Sequence, residues 1–327
     1  MALLLLVAVD APPLEALRLL WEGSFGSTAK AVDTLMAWVP LTLAAAGLVI
    51  TFSAGLWNIG VEGQIVLGAI AASLVAREAP GPAAVLIPLA IAAGMVGGAA
   101  WGLLVGALRT YGRVNEIFGG LGLDFVASGL TIYLVIGPWK RAGIASTSGT
   151  DLFRPEASFP TLTGSRLSPL AVALAVLAVI AVFTLMRGTL FGLRLKAVGR
   201  NSRSAFLMGI STNRHLLAAF VLCGALAGAA GTIQATAVQH KLVPAVSGGY
   251  GFLGILVVLL AGLRASLIAP LALFFAMISV GSTQLPLRLN LDSALAGVIQ
   301  GVLVLFVLLT GGWQARRALA SARADGT

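Results

Sequence analysis

Asn58, Glu62 and Gln64 interrupt the otherwise apolar stretch GLWNIGVEGQIVLGA at residues 55–69. A second stretch, RVNEIFGGLGLDFVASGLTIY, adds Asn115, Glu116, Phe118 and Asp124. Amides and carboxylates hydrogen-bond hydroxyls and base edges, and an aromatic ring offers a stacking face. Glu116 and Asp124 lie eight residues apart, which puts them on nearly one face of a helix. Such residues suit weak, reversible contact with a polar, ring-bearing solute. Each also has a structural alternative. Glu62 fits the first turn of a helix, where the macrodipole favours an acid. Asn115 and Glu116 fit an interfacial cap. Asp124, about two turns deeper than Glu116, is harder to account for in that way.

The residues offer no catalytic chemistry. No G-x-x-x-x-G-K-[ST] phosphate loop occurs, nor a Ser/His/Asp set, nor an Asp-rich metal motif, so the chain is not expected to hydrolyse ATP or to act as an enzyme. His240 and Lys241 fall in a short connection where one histidine makes a poor metal site. The single cysteine, Cys223, lies in an apolar run and reads as packing. Trp57, Trp101, Trp139 and Trp313 lie near the ends of apolar runs and read as interfacial anchors.

Composition decides what positions these residues. Of 327 residues 58% are hydrophobic and 10% charged, and the mean hydropathy is +0.99. That is more apolar surface than a soluble core could hide, so the chain is a polytopic membrane protein set in a lipid bilayer. A membrane helix needs about 20 mostly apolar residues. Candidate spans lie near 35–54, 60–76, 83–108, 114–136, 167–187, 216–236, 250–263, 265–281 and 294–312. The opening MALLLLVAV lacks the flanks of a signal peptide and reads as a shortened further helix, for about ten in all. The fold class is therefore all-α, and 1–327 reads as a single membrane domain.

Lys and Arg number 21 against 12 acids, but they sit in loops, which argues for membrane orientation and against nucleic acid. The connection at 187–215 holds Arg187, Arg194, Lys196, Arg200, Arg203 and Arg214 without an acid and is expected to be cytoplasmic. Counting alternately places Arg109, Arg113, Arg264 and the basic tail on the same side, with both termini cytoplasmic. The connection at about 137–166 falls outside, although it carries Lys140, Arg141, Arg154 and Arg166.

Within the basic connection, about 188–215, a short helix is expected. Asn201 or Ser202 can cap it, Phe206, Leu207 and Ile210 give it an apolar side with Ala205 within its turns, and Gly209 can end it. It suits docking by another protein; the alternative is a segment lying on anionic headgroups. The 40 glycines cluster in the spans, where small residues let helix backbones approach. Two glycine-rich helix starts, GVEGQIVLGAI at 60–70 and SGGYGFLGILV at 247–257, resemble one another and run in opposite directions, as in an inverted repeat.

These segments, in this order, resemble the permease subunits of bacterial ABC importers for nucleosides and simple sugars, the branch related to ribose and branched-chain amino-acid permeases. GLWNIGVEGQIVLGA, the NE of VNEIFGGLGLDFVASGLTIYL, the LFGLRLKAVGRNSRSAFLMGI loop, GALAGAAGTIQ and GYGFLGILVVLLAGL carry the likeness over most of the chain. One departure is FGGLGLD with Asp124, where the family commonly has a threonine- or methionine-containing run ending in Asn. The resemblance implies a permease of the cell membrane paired with a second permease, a heterodimer being favoured. Two ATPase subunits would carry ATP and Mg²⁺, with no cofactor in this chain. An extracytoplasmic binding protein would deliver the solute, a nucleoside or alternatively a simple sugar. The 201–210 helix would rest on the ATPase. From the residues alone, a secondary transporter in which Glu62, Glu116 or Asp124 carries a coupling proton remains the competing expectation.

Overall fold

The structure is a computed structural model that describes residues 13–141 and 148–284, with single positions at 288 and 298. The expected spans at the start of the chain and at 294–312, and both termini, lie outside the described residues. Among the described residues there is no strand, and eleven α-helices occur. They are α1 (Pro13–Phe25), α2 (Thr28–Ser53), α3 (Val61–Glu78), α4 (Ala83–Thr110), α5 (Glu116–Ile136), α6 (Pro169–Gly188), α7 (Leu190–Arg200), α8 (Ser202–Leu207), α9 (Thr212–Ile233), α10 (Tyr250–Leu260) and α11 (Ile268–Gly281).

Five of these are long and apolar enough to cross a bilayer: α2, α4, α5, α6, and α9 continued to Val238. They match five expected spans. Two neighbouring expectations need revision. The spans expected at 250–263 and 265–281 are α10 and a segment ending in α11, which meet at 120°. α10 has 11 residues, about 16 Å and so half of a hydrocarbon core. The bend is made by Gly262 and Leu263, both at positive φ, a conformation that costs nothing for the glycine and is unusual for the leucine.

The chain divides into two compact units, Leu35–Ala272 and the flanking Met1–Thr34 with Leu273–Thr327. In the flanking unit, Ser24 donates its hydroxyl hydrogen bond to the carbonyls of Leu20 and Met277, and Thr34 donates to Ser24, so polar side chains knit its helices together.

In the central unit α3, α4 and α9 form the core. Their contact is made by glycine. A Cβ on Gly228 would overlap the backbone of Gly94, and one on Gly98 would overlap that of Gly224. Lipid supplies no hydrophobic drive between helices, so backbone-to-backbone contact supplies van der Waals attraction instead. α3 runs antiparallel to α4, with Gly60 beside Val105, Gly63 beside Trp101 and Gly97 beside Ala71. The end of the central unit that carries Arg109, Arg113 and the α7–α8 segment is called the basic end below.

α2 reaches that end and turns at Gly55, whose φ of 75° belongs to glycine. Residues 56–58, in neither helix nor strand, then lead back into the protein, and a tight turn closes at Asn58, where Ile59 N–H donates to the Trp57 carbonyl at 3.0 Å. Asn58 comes to rest beside Cys223, about three turns into α9, and α3 starts inside the bundle instead of at its edge.

Candidate functional site

The start of α3 meets the start of α10. Glu62, in the first turn of α3, accepts hydrogen bonds from the backbone N–H of Gly249 at 3.1 Å and of Gly251 at 2.7 Å. The Ser247 hydroxyl and the Phe252 amide are further partners. Gly248 and Gly249 are both at positive φ, which folds SGGYG into a concave run of amides suited to an anion. The carboxylate occupies it. α10 has no side-chain cap of its own, so Glu62 satisfies the amides that its first turn leaves unpaired.

The same device operates one helix earlier. Asp124, inside α5, accepts a hydrogen bond from Gly63 N–H at 2.7 Å through Oδ1. α3 has no side-chain cap either. Two carboxylates thus tie α5 to the start of α3 and α3 to the start of α10. Asp124 Oδ2 and the indole Nε1 of Trp101 are buried without hydrogen-bond partners, both side chains lying against Gly63.

Asn58 and Gln64 form a reciprocal amide pair, each donating to the other's carbonyl oxygen at 3.2 Å. Asn58 also donates to Cys223 Sγ at 3.1 Å. The pair pins the 56–58 segment against α3 and α9. Beside Gly248, Gln234 opens a π-helical segment, Gln234–Val238, and hydrogen-bonds the Tyr250 hydroxyl.

Of the seven polar and aromatic residues singled out in the sequence, Asn58, Glu62, Gln64 and Asp124 gather in this interior cluster, all buried. The others sit elsewhere. Asn115 caps α5 by accepting from Ile117 N–H at 2.9 Å, and Glu116 pairs with Arg109 at 2.7 Å. Phe118 projects from α5 with 74% of its surface exposed. Trp101, expected as an interfacial anchor, instead buries its indole N–H against Gly63 in this cluster, and Gln234 and the SGGYG amides join it without having been expected there. The double glycine before a helix lacking a capping side chain was the available signal.

The basic connection folds into two helices. α7 is capped by Thr189, which accepts from Gly192 N–H, and buries Leu195 and Val198. Lys196 donates to the carbonyl of Met186, meeting the open end of α6. α8 is capped by Asn201, whose side chain accepts from Ser204 N–H at 3.0 Å, and ends at Gly209 with φ 81°. Ala205 is buried and Ile210 donates its N–H to the Ala205 carbonyl. Phe206 and Leu207, with 66% and 78% of their surfaces exposed, point away from the bundle, as does Met208. Ser202 begins the helix just after its cap.

An apolar cavity of about 390 Å³ lies at the same end, between the α2 turn and the end of α10. Phe52, Leu56 and Trp57 line one side and Val258, Leu259 and Leu263 the other.

The family described as branched-chain amino acid transport system / permease component matches residues 31–308. The chain belongs to that family. Relatives of the permease carry the same role in their names. The glucose ABC transporter permease protein of Haloferax volcanii is 33% identical over 93% of this chain and 82% of its own. The guanosine ABC transporter permease protein of Bacillus subtilis is 26% identical over 88% of this chain and 83% of its own. The nucleoside ABC transporter permease protein of Lactococcus lactis subsp. cremoris is 28% identical over 85% and 79%. The permease is a multi-pass membrane protein and the transport subunit of an ABC transporter, a role that implies ATPase and substrate-binding partners.

Proposed function

We propose that the permease serves an ATP-driven importer of nucleosides. The observation that carries the importer reading is α8, a capped helix that presents Phe206 and Leu207 outward from a basic connection between two spans. Exposed apolar side chains on a polar-side helix suit a partner's groove. The ATPase subunit is that partner in this reading, and ATP with Mg²⁺ stays on it. The basic end is cytoplasmic by its arginines, with both termini on that side. The solute class follows the guanosine and nucleoside relatives. A simple sugar is the second reading, favoured by the glucose relative.

A second permease, different from this one, completes the pathway. Phe118 offers the solute an apolar surface, with Asn115 and Glu116 beside it. Asn58, Glu62, Gln64 and Asp124 frame the path from behind by fixing the helix starts that border it. A binding protein supplies most of the affinity. The proton-coupled alternative finds no counterpart among these relatives, whose names are those of ABC transporter permeases.

Reconstitution tests the proposal. With its ATPases, second permease and binding protein in proteoliposomes, the chain should import guanosine when ATP is supplied, and glucose poorly. Uptake driven by a proton gradient without any ATPase would overturn the importer reading. ATP-driven glucose uptake with no guanosine uptake would overturn the nucleoside assignment alone.

A further inference from the structure

We infer that Gly199 and the Ser53–Gly55 turn form the contact through which movement of the docking segment reaches the interior cluster, which makes Gly199 a positioning residue for transport. The inference rests on the importer reading above.

Three observations on the central unit carry it. The first is the contact itself. Gly199, one residue before the end of α7, lies against the turn so closely that a Cβ there would overlap the Ser53 carbonyl oxygen and lie 2.9 Å from Ala54 C and 3.0 Å from Gly55 N. From the other side, a Cβ on Gly55 would lie 3.1 Å from the Gly199 carbonyl oxygen. Backbone meets backbone here without a side chain to absorb a displacement.

The second is that both flanks are stiff. α7 is fixed to α6 by Lys196, past its midpoint, and continues through Asn201 into α8. The turn is held by Gly55 N–H donating to the Phe52 carbonyl and Leu56 N–H donating to Thr51, each at 3.0 Å.

The third is where the turn leads. Gly55 is three residues from Asn58, at most about 10 Å of chain. Asn58 is locked to Gln64 and Cys223, and α3 begins three residues later with Glu62 holding the start of α10. A shift of α7 therefore acts on the starts of two helices through one short segment pinned at both ends. Packed contacts of this kind transmit displacement because they do not deform continuously.

The test uses the full complex in proteoliposomes with guanosine as solute, and compares wild type with Gly199→Ala and Gly188→Ala. Gly188 stands at the same end with open space around its Cβ position. The inference expects Gly199→Ala to keep capturing the ATPases, to lose uptake at least tenfold, and to abolish the acceleration of ATP hydrolysis by loaded binding protein. Gly188→Ala should match wild type in all three. Uptake and acceleration unchanged in Gly199→Ala would overturn the inference.

Should Gly199→Ala fail to assemble, hydrogen exchange on the wild-type complex decides. A non-hydrolysable ATP analogue should alter exchange at 196–207 and at 53–60 together. A change at 202–207 with none at 53–60 would overturn the inference. If the wild-type chain captures no ATPase, the importer reading falls and takes this inference with it.

Discussion

Glu62 Oε2 lies 2.7 Å from the backbone nitrogen of Gly251, so a residue in the first turn of α3 caps the start of α10 across 189 positions of sequence. The two helices leave this point in opposite directions. α3 runs away from the basic end beside α4, and α10 runs toward it, its end lining the cavity with Phe52 and Trp57. Both helices thus start at this one side chain.

Glu62→Gln tests that arrangement. The amide keeps one acceptor but replaces the other with a donor that faces Gly249 or Gly251 N–H. A buried amide N–H is left facing a donor in place of its acceptor, at a cost of about 1–3 kcal/mol. The variant should fold and show a lowered midpoint of thermal unfolding in detergent. An unchanged midpoint would mean that α10 is held by packing alone.

Asn58 and Gln64 should behave as a pair. Asn58→Ala leaves the Gln64 amide buried without its partner, at about 1–3 kcal/mol, and Gln64→Ala does the converse. The double variant should cost less than the sum of the two, because no orphaned group remains. Strict additivity of unfolding midpoints in a double-mutant cycle would show that the two amides act independently.

Gly228→Ala should prevent α4 and α9 from closing, since the added Cβ overlaps Gly94. Gly122→Ala and Gly129→Ala have open space at the Cβ and should be neutral, or stabilise α5 by up to about 1 kcal/mol through helix propensity. Monodispersity in detergent after expression separates the two kinds of glycine.

Phe206→Asp with Leu207→Asp should abolish co-purification of the ATPases while leaving the unfolding midpoint nearly unchanged. Both side chains are exposed, and surface changes of this kind usually fall within about 0.5 kcal/mol. Retained co-purification would assign the outward face of α8 to another partner.

Local features were legible in the sequence. Asn115 before Glu116 and Asn201 before Ser202 signalled helix starts, and both cap as expected, because capping is settled within four residues. Gly209 ended its helix for the same reason. The outlook of Phe118 was not legible, since the face that a membrane helix turns inward is set by glycine contacts such as Gly60 with Gly120, not by a hydrophobic stripe. The role of Glu62 was legible only as a choice between lining and capping. Its partner amides lie in a segment whose fold back toward α3 depends on two consecutive left-handed glycines. The run at 250–281 was apolar throughout, and periodicity alone does not reveal a bend at Gly262 and Leu263.

The half-length α10 also constrains how the chain is made. Eleven residues are too few to be retained in a bilayer as an independent span, and bare amides at their start are unwelcome in hydrocarbon. The carboxylate that shelters those amides leaves the ribosome nearly 190 residues earlier. Synthesis in this order has the receptor for α10 waiting in the membrane before α10 emerges. A circular permutant in which residues 239–284 precede 55–78 would present the guest before the host, and α10 would enter the bilayer with its amides unmet.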